Sequence, residues 1–166
     1  RQRHIEDSAQ LIRLIPTDLR VRTWVDLGSG AGFPGIVAAI MLPAQVHLIE
    51  AREKKCLFLR TVAAELGLSD RVVVHNERVE KLRSPKADII SARAFTALPK
   101  LFDWGRGFAA QHTLWLLPKG RSAVAEVEAA RQSFSFDAQL HPSSTDPDAR
   151  IVAARHVRRI GADKGK

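Results

Sequence analysis

The chain has 166 residues, 45% of them apolar, and a net charge of +8 from 26 Lys and Arg against 18 Asp and Glu; that length suits one domain spanning 1–166 with its own core, and the charge attracts polyanions, nucleic acid first. No apolar run reaches the roughly 20 residues of a membrane span, the single Cys56 excludes an internal disulfide, and no Cys/His cluster has metal-ligand spacing. With no signal-peptide core in the opening RQRHIEDSAQLI, the expected setting is the cytoplasm, with no membrane and no metal.

In chain order, Arg1 stands first and the only methionine is Met41, so the sequence reads as a piece with material upstream. The run Thr23–Leu27 (TWVDL) predicts a strand, Pro34–Met41 a helix with Pro in its first turn, and Val46–Glu50 (VHLIE) a second strand. A helix over Lys54–Leu66 follows, with Leu57, Phe58, Val62, Ala63 and Leu66 at helical spacing and Gly67 as its cap. Strands at Arg71–His75, Asp88–Ala92 and His112–Lys119 alternate with helices over Leu98–Ala109 and Ala123–Gln132. The alternating runs FSFDAQLHPS and RIVAARHVRR, joined by SSTDPD, predict an antiparallel pair. The rhythm implies an α/β three-layer sandwich around a mostly parallel sheet, closed by a C-terminal hairpin, with ligands beyond the carboxyl ends of the strands.

The first such end reads VDLGSGAGFPG, Val25–Gly35. Gly30, Gly32 and Gly35 satisfy G-x-G-x-x-G, and Glu50 lies about 20 residues on, which alone would suggest NAD. Asp26 argues otherwise, because an acid just before the turn opposes a pyrophosphate at the helix N-terminus. It suits a ligand with a cationic part and no phosphate, and S-adenosylmethionine carries an ammonium and a sulfonium. In that reading Gly28 and Gly30 let the backbone approach the ligand and Glu50 accepts the ribose hydroxyls. Phe33 packs on the ligand or in the core, and Asp26 faces the cofactor or caps the loop's own amides.

VDLGSGAGFPGI, VHLIEAREKKCLFLRTVAAELGL, NERVEKL, ADIISARAF and the pair Lys119-Gly120 together resemble the ribosomal RNA small subunit methyltransferase G family, also called glucose-inhibited division protein B. The resemblance covers nearly the whole chain. It implies a Rossmann-like S-adenosylmethionine-dependent methyltransferase fold and methylation of the N7 of one guanine in bacterial 16S ribosomal RNA. The substrate would be that RNA or a small ribosomal subunit precursor. It further implies cofactor contacts at Gly28, Phe33, Val79, Glu80 and Arg93, with Glu50 as the ribose acid and the backbone at Val79 and the Glu80 carboxylate beside the adenine. The family's N-terminal helical segment would lie upstream of Arg1. LLPKG departs from the family pattern, since Pro118 is expected to bend the strand before Lys119.

Guanine N7 has an exposed lone pair and needs no deprotonation, so no general base is expected. Six histidines without partners at telling spacing agree with that, and Cys56 is expected in the core. Arg93 is the expected link between cofactor and base, or else an ion pair with Asp88 or Glu80. Arg3, His4, Lys119 and Arg121 are candidates for RNA phosphates, and a monomer leaves the strand ends free for RNA. A same-fold methyltransferase for a small molecule or protein, and a non-catalytic RNA-binding module, are the alternatives.

Overall fold

The computed structural model describes residues 2–93 and 95–161. The chain runs α1 (Gln2–Arg13), β1 (Thr23–Leu27), α2 (Gly35–Met41), β2 (Gln45–Glu50), α3 (Glu53–Glu65), β3 (Val72–Asn76), β4 (Ala87–Ala92), α4 (Leu98–Gly105), β5 (Ala109–Lys119), α5 (Ala123–Ala130), β6 (Phe134–Pro142) and β7 (Arg150–Arg159). The strands form one seven-stranded sheet ordered β3-β2-β1-β4-β5-β7-β6. The first five are mutually parallel, and β7 runs antiparallel between β5 and β6. Among the described residues no helix is long and apolar enough to cross a membrane.

Alternation along the strands sends side chains to two faces, and each face builds its own core. Trp24, Val46, Leu48, Ile89, Leu114 and Leu116 pack with Leu11 of α1, Ile36 and Ala38 of α2, and Leu59 and Ala63 of α3. On the other face Val25, Leu27, Ile90, Trp115 and Val152 pack with α4, α5 and the hairpin. Phe102 of α4 joins these parts, edge-on to Trp115 at 5.1 Å, Phe134 at 5.6 Å and Phe136 at 5.0 Å.

Several expectations shift. The opening residues form α1, which the sequence pattern does not predict because it buries Ser8 and Gln10 beside Leu11. Ser8 Oγ donates to His4 O at 2.7 Å, and Gln10 Oε1 accepts from the Ser144 N–H at 2.8 Å, so polar residues dock this helix. On α3 the buried residues are Cys56, Leu59 and Ala63, while Leu57 (65% exposed), Phe58 (51%) and Leu66 (49%) face outward. The rotation brings Cys56 Sγ to donate to Glu50 O at 3.1 Å, tying α3 to the end of β2. The helix at Leu98 stops at Gly105, where a Cβ would stand 2.9 Å from Leu27 and the Trp115 ring; a 3-10 turn at Arg106–Phe108 leads into β5 three residues before the predicted His112. Pro118 does not break its strand. The β5–β7 ladder continues Leu117↔Val152, Pro118↔Ile151, Lys119↔Arg150 without a register shift, beyond the last β4 partner at Leu116.

Candidate active site

β1 and β4 are neighbours although other strands separate them in sequence, so the chain departs to opposite sides after each and a crevice opens between their carboxyl ends. Leu27 pairs with Ala92, which starts Gly28 and Arg93 side by side at its floor. Gly28 has φ +65°, and an added Cβ would run into the Phe95 ring. Only glycine combines that backbone with that contact.

A cleft of about 330 Å³ lies on the β2 side, lined by Gly28, Glu50, Arg52, Val79, Glu80, Phe95 and Trp104 among others. Glu50 ends β2, 8% exposed, with Oε2 accepting from the Gly30 N–H at 3.0 Å and Oε1 from the Arg52 N–H at 3.1 Å. These bonds fix the carboxylate and leave lone pairs for further donors such as ribose hydroxyls. Val79 is buried in a single 3-10 turn, and Glu80 faces Arg78 at 3.9 Å. Phe95 and Trp104 meet edge to face at 5.8 Å and wall the opposite side.

A larger cleft, about 690 Å³, lies on the β5 side of the same Phe95, with Arg93, Arg3, His4, Asp7, Gln10, Lys119 and Glu126 in its lining. Its outer wall is a clasp between α1 and the β6–β7 turn: Asp7 accepts from Thr145 Oγ1, Gln10 holds Ser144, and Arg3 Nη2 meets Asp146 at 3.3 Å. Lys119 Nζ donates to Thr96 O at 2.7 Å and pairs with Glu126 at 3.1 Å, its side chain 9% exposed. Burial works to raise the Glu126 carboxyl, but hydrogen bonds from Ser122, Lys119 and the Leu98 N–H and the charge of Lys119 hold it below the ordinary range.

Asp26 sits beneath the glycine loop, 1% exposed, and lines neither cleft. The Trp24 indole N–H donates to Ser91 Oγ at 2.7 Å, and Ser91 donates to Asp26 Oδ1 at 2.8 Å. Burial pushes its carboxyl up to about 7, against hydrogen bonds from Ser91, Ser29 and Gly35 and the charge of Arg93. Its carboxyl thus accepts from Ser91 beneath the loop and does not face either cleft. Gly35 begins α2 directly over it: a Cβ there would stand 3.0 Å from Asp26 Oδ2.

Arg93 makes no ion pair with Asp88 or Glu80 among the described residues: Asp88 accepts from His112 and from the Arg22 and Thr23 N–H groups, and Glu80 faces Arg78. Its Nη1 is buried without a partner. Phe33 lies outside both linings and packs near His4, ring centroids 5.5 Å apart. Arg121 is exposed and pairs with Asp148 at 2.8 Å. The pattern reading missed Phe95, Trp104 and Glu126; SARAF contains Phe95, but nothing in sequence marks it as the wall between two clefts. It also missed a histidine pair, His47 Nδ1 to His75 Nε2 at 2.8 Å across β2 and β3.

The residues present fit S-adenosylmethionine. An unpaired buried guanidinium nitrogen suits a carboxylate, a fixed acid suits ribose hydroxyls, and an apolar wall suits a purine.

A family model described as rRNA small subunit methyltransferase G matches residues 1–151. The ribosomal RNA small subunit methyltransferase G of Rhizorhabdus wittichii is 49% identical over 166 residues, covering 99% of this chain and 76% of that protein. In fold the chain is similar to the ribosomal protein L11 methylase of Lactobacillus delbrueckii subsp. bulgaricus, with TM-score 0.75 at 15% identity over 94% of this chain and 79% of that one. It is also similar to a glycopeptide N-methyltransferase complexed with S-adenosyl-L-methionine, with TM-score 0.73 at 12% identity over 90% and 86%.

Proposed function

From the premise that this chain belongs to the rRNA small subunit methyltransferase G family, we propose how its two clefts serve S-adenosylmethionine-dependent methylation of a guanine N7 in 16S ribosomal RNA. When bound, S-adenosylmethionine supplies an electrophilic methyl on its sulfonium. Glu50 receives the ribose hydroxyls, the Val79 backbone and the Glu80 carboxylate meet the adenine edge, and Gly28 leaves room for the chain of atoms crossing the loop. Arg93 Nη1 takes the carboxylate, and from the lining of the larger cleft the same guanidinium reaches the O6 edge of the target guanine.

The guanine enters the larger cleft. Its N7 lone pair lies in the ring plane, so the protein's task is alignment, for which positioning can supply ~7 to 11 kcal/mol of the barrier. No general base enters this reading, and Glu126 of the larger cleft is bound to Lys119, Ser122 and the Leu98 N–H. We take the enzyme to act as a cytoplasmic monomer of one domain on the small ribosomal subunit or its precursor, leaving the strand ends open to RNA.

The observation that carries the reading is the buried Nη1 of Arg93, without a hydrogen-bond partner among the described residues, on a side chain that lines the larger cleft. Thermal unfolding should show protection by S-adenosylmethionine and S-adenosylhomocysteine but not by NAD. Arg93→Ala should weaken the first two by roughly 10- to 100-fold, the range for a hydrogen bond between charged groups. Methyl transfer to small-subunit RNA, mapped to guanine N7, should fall further. Protection by NAD, or by none of the three, overturns the assignment.

A further inference from the structure

The cations nominated for RNA from sequence are already neutralised in the fold. Arg3 meets Asp146, Lys119 meets Glu126 and Arg121 meets Asp148, so these three are matched on the bank formed by α1, β5 and the β6–β7 turn, where Arg150 donates to the Pro147 and Ala149 carbonyls. The opposite bank differs. Arg52, Lys54 and Lys55 are exposed at the end of β2 and the start of α3, none in a salt bridge among the described residues, with Glu53 as the acid between them. Arg52 lines the smaller cleft, and Lys55 Nζ stands 4.0 Å from where a Cβ on Gly30 would lie, so this charge borders the glycine loop itself. Across that cleft, Lys100 sits over the Trp104 ring at 4.9 Å and adds a further cation without a carboxylate partner among the described residues. One turn along α3 from Lys54 lies Phe58, 51% exposed, an aromatic that the core does not use.

We propose that the RNA backbone is held along the rim of the smaller cleft, by Arg52, Lys54 and Lys55 on the β2–α3 bank and by Lys100 of α4 across from them, with Phe58 offering a face to an unstacked base. Unmatched positive charge at the rim binds phosphates by releasing counterions, whereas a cation already paired must first lose its carboxylate. An exposed aromatic beside such a strip is the arrangement that holds single-stranded nucleic acid. The strip is continuous with the cleft assigned to the cofactor, so RNA phosphates resting on it would bring a flanking nucleotide over the crevice from the side opposite the clasp. The inference rests on the methyltransferase reading above and assigns its substrate a surface.

The test compares wild type, Lys54→Glu/Lys55→Glu and Arg121→Glu for methyl transfer to small ribosomal subunits and to naked 16S ribosomal RNA over a salt series. S-adenosylmethionine affinity and thermal unfolding are measured alongside. The double variant should raise KM for RNA at least tenfold, keep kcat and S-adenosylmethionine affinity, and flatten the log–log salt dependence by about 1.4 to 1.8, the value for two lost phosphate contacts. Arg121→Glu should move KM much less. Equal KM and slope in the double variant and wild type overturn the bank while leaving the methyltransferase reading intact. Loss of S-adenosylmethionine affinity in step with RNA also overturns it, by showing that these lysines serve the cofactor. A wild type that transfers no methyl overturns the underlying reading, and the bank with it.

Discussion

Asp26 holds its proton into the neutral range because its carboxyl is shut under the loop, where burial outweighs the hydrogen bond that Ser91 donates to it. Between an unfolded value near 3.8 and a folded value of about 7, the folded state keeps a proton that the unfolded state has lost, so this residue lowers stability as pH rises through that window. His47 acts in the opposite sense. Burial, then the charge of His75, pull its value from 6.5 down to about 4, so the unfolded state binds the extra proton there and stability rises with pH across that range. The two trends oppose each other between about pH 4 and 6.5. In Asp26→Asn, urea unfolding at stepped pH should show a steeper rise from pH 4 to 6.5 than wild type and no fall toward pH 7; a profile parallel to wild type would mean that Asp26 ionises normally. The type and position of this acid were legible in sequence. Its burial was not, since a strand-end residue points to solvent or core according to the twist and the helix laid over it.

At the scale of elements, Lys119 and Glu126 bind three pieces together. Lys119 closes β5 and donates to Thr96, while Glu126 of α5 also accepts from the Leu98 N–H, the first residue of α4. Removing one partner leaves the other poorly solvated, at a cost of about 2 to 4 kcal/mol for a pair this enclosed. Glu126→Ala should therefore lower the urea midpoint markedly, and Lys119→Met/Glu126→Leu should recover part of the loss; an additive double variant would show that the pair is not coupled. Strands were read correctly where nearly every position is buried, as in β1 and β2, and β5 was read except for its first three residues. The reading of α3 found the helix and put Ala63 and Cys56 inside, but it also turned Leu57, Phe58 and Leu66 inward, where the structure buries Leu59 instead. α1 escaped because its docking is polar, and periodicity arguments count apolar residues.

At the scale of the whole molecule, α1 meets the β6–β7 turn. Gln10 of α1 takes hydrogen bonds from Ser144 through both its N–H and its hydroxyl, 134 positions away, and Asp7 takes one from Thr145. The outer wall of the larger cleft is thus assembled from segments that sequence distance keeps apart, which is why no local motif announced it. Gln10→Leu should loosen that wall: KM for RNA should rise severalfold with S-adenosylmethionine affinity unchanged, while an unchanged KM would mean that the clasp only supports the fold. The glycine loop and Glu50, by contrast, lie 20 residues apart and were recognisable as one unit from the sequence, as the Gly30 N–H to Glu50 bond bears out.

Phe95 is common to both clefts and rests on Gly28. Phe95 is the ring that both linings share, so any occupant that shifts it against Trp104 on one side reshapes the room on the other. Such an effect is reciprocal by thermodynamic necessity. The order in which two ligands arrive, and whether the first makes the second bind more tightly or more loosely, then becomes a property of a single aromatic side chain.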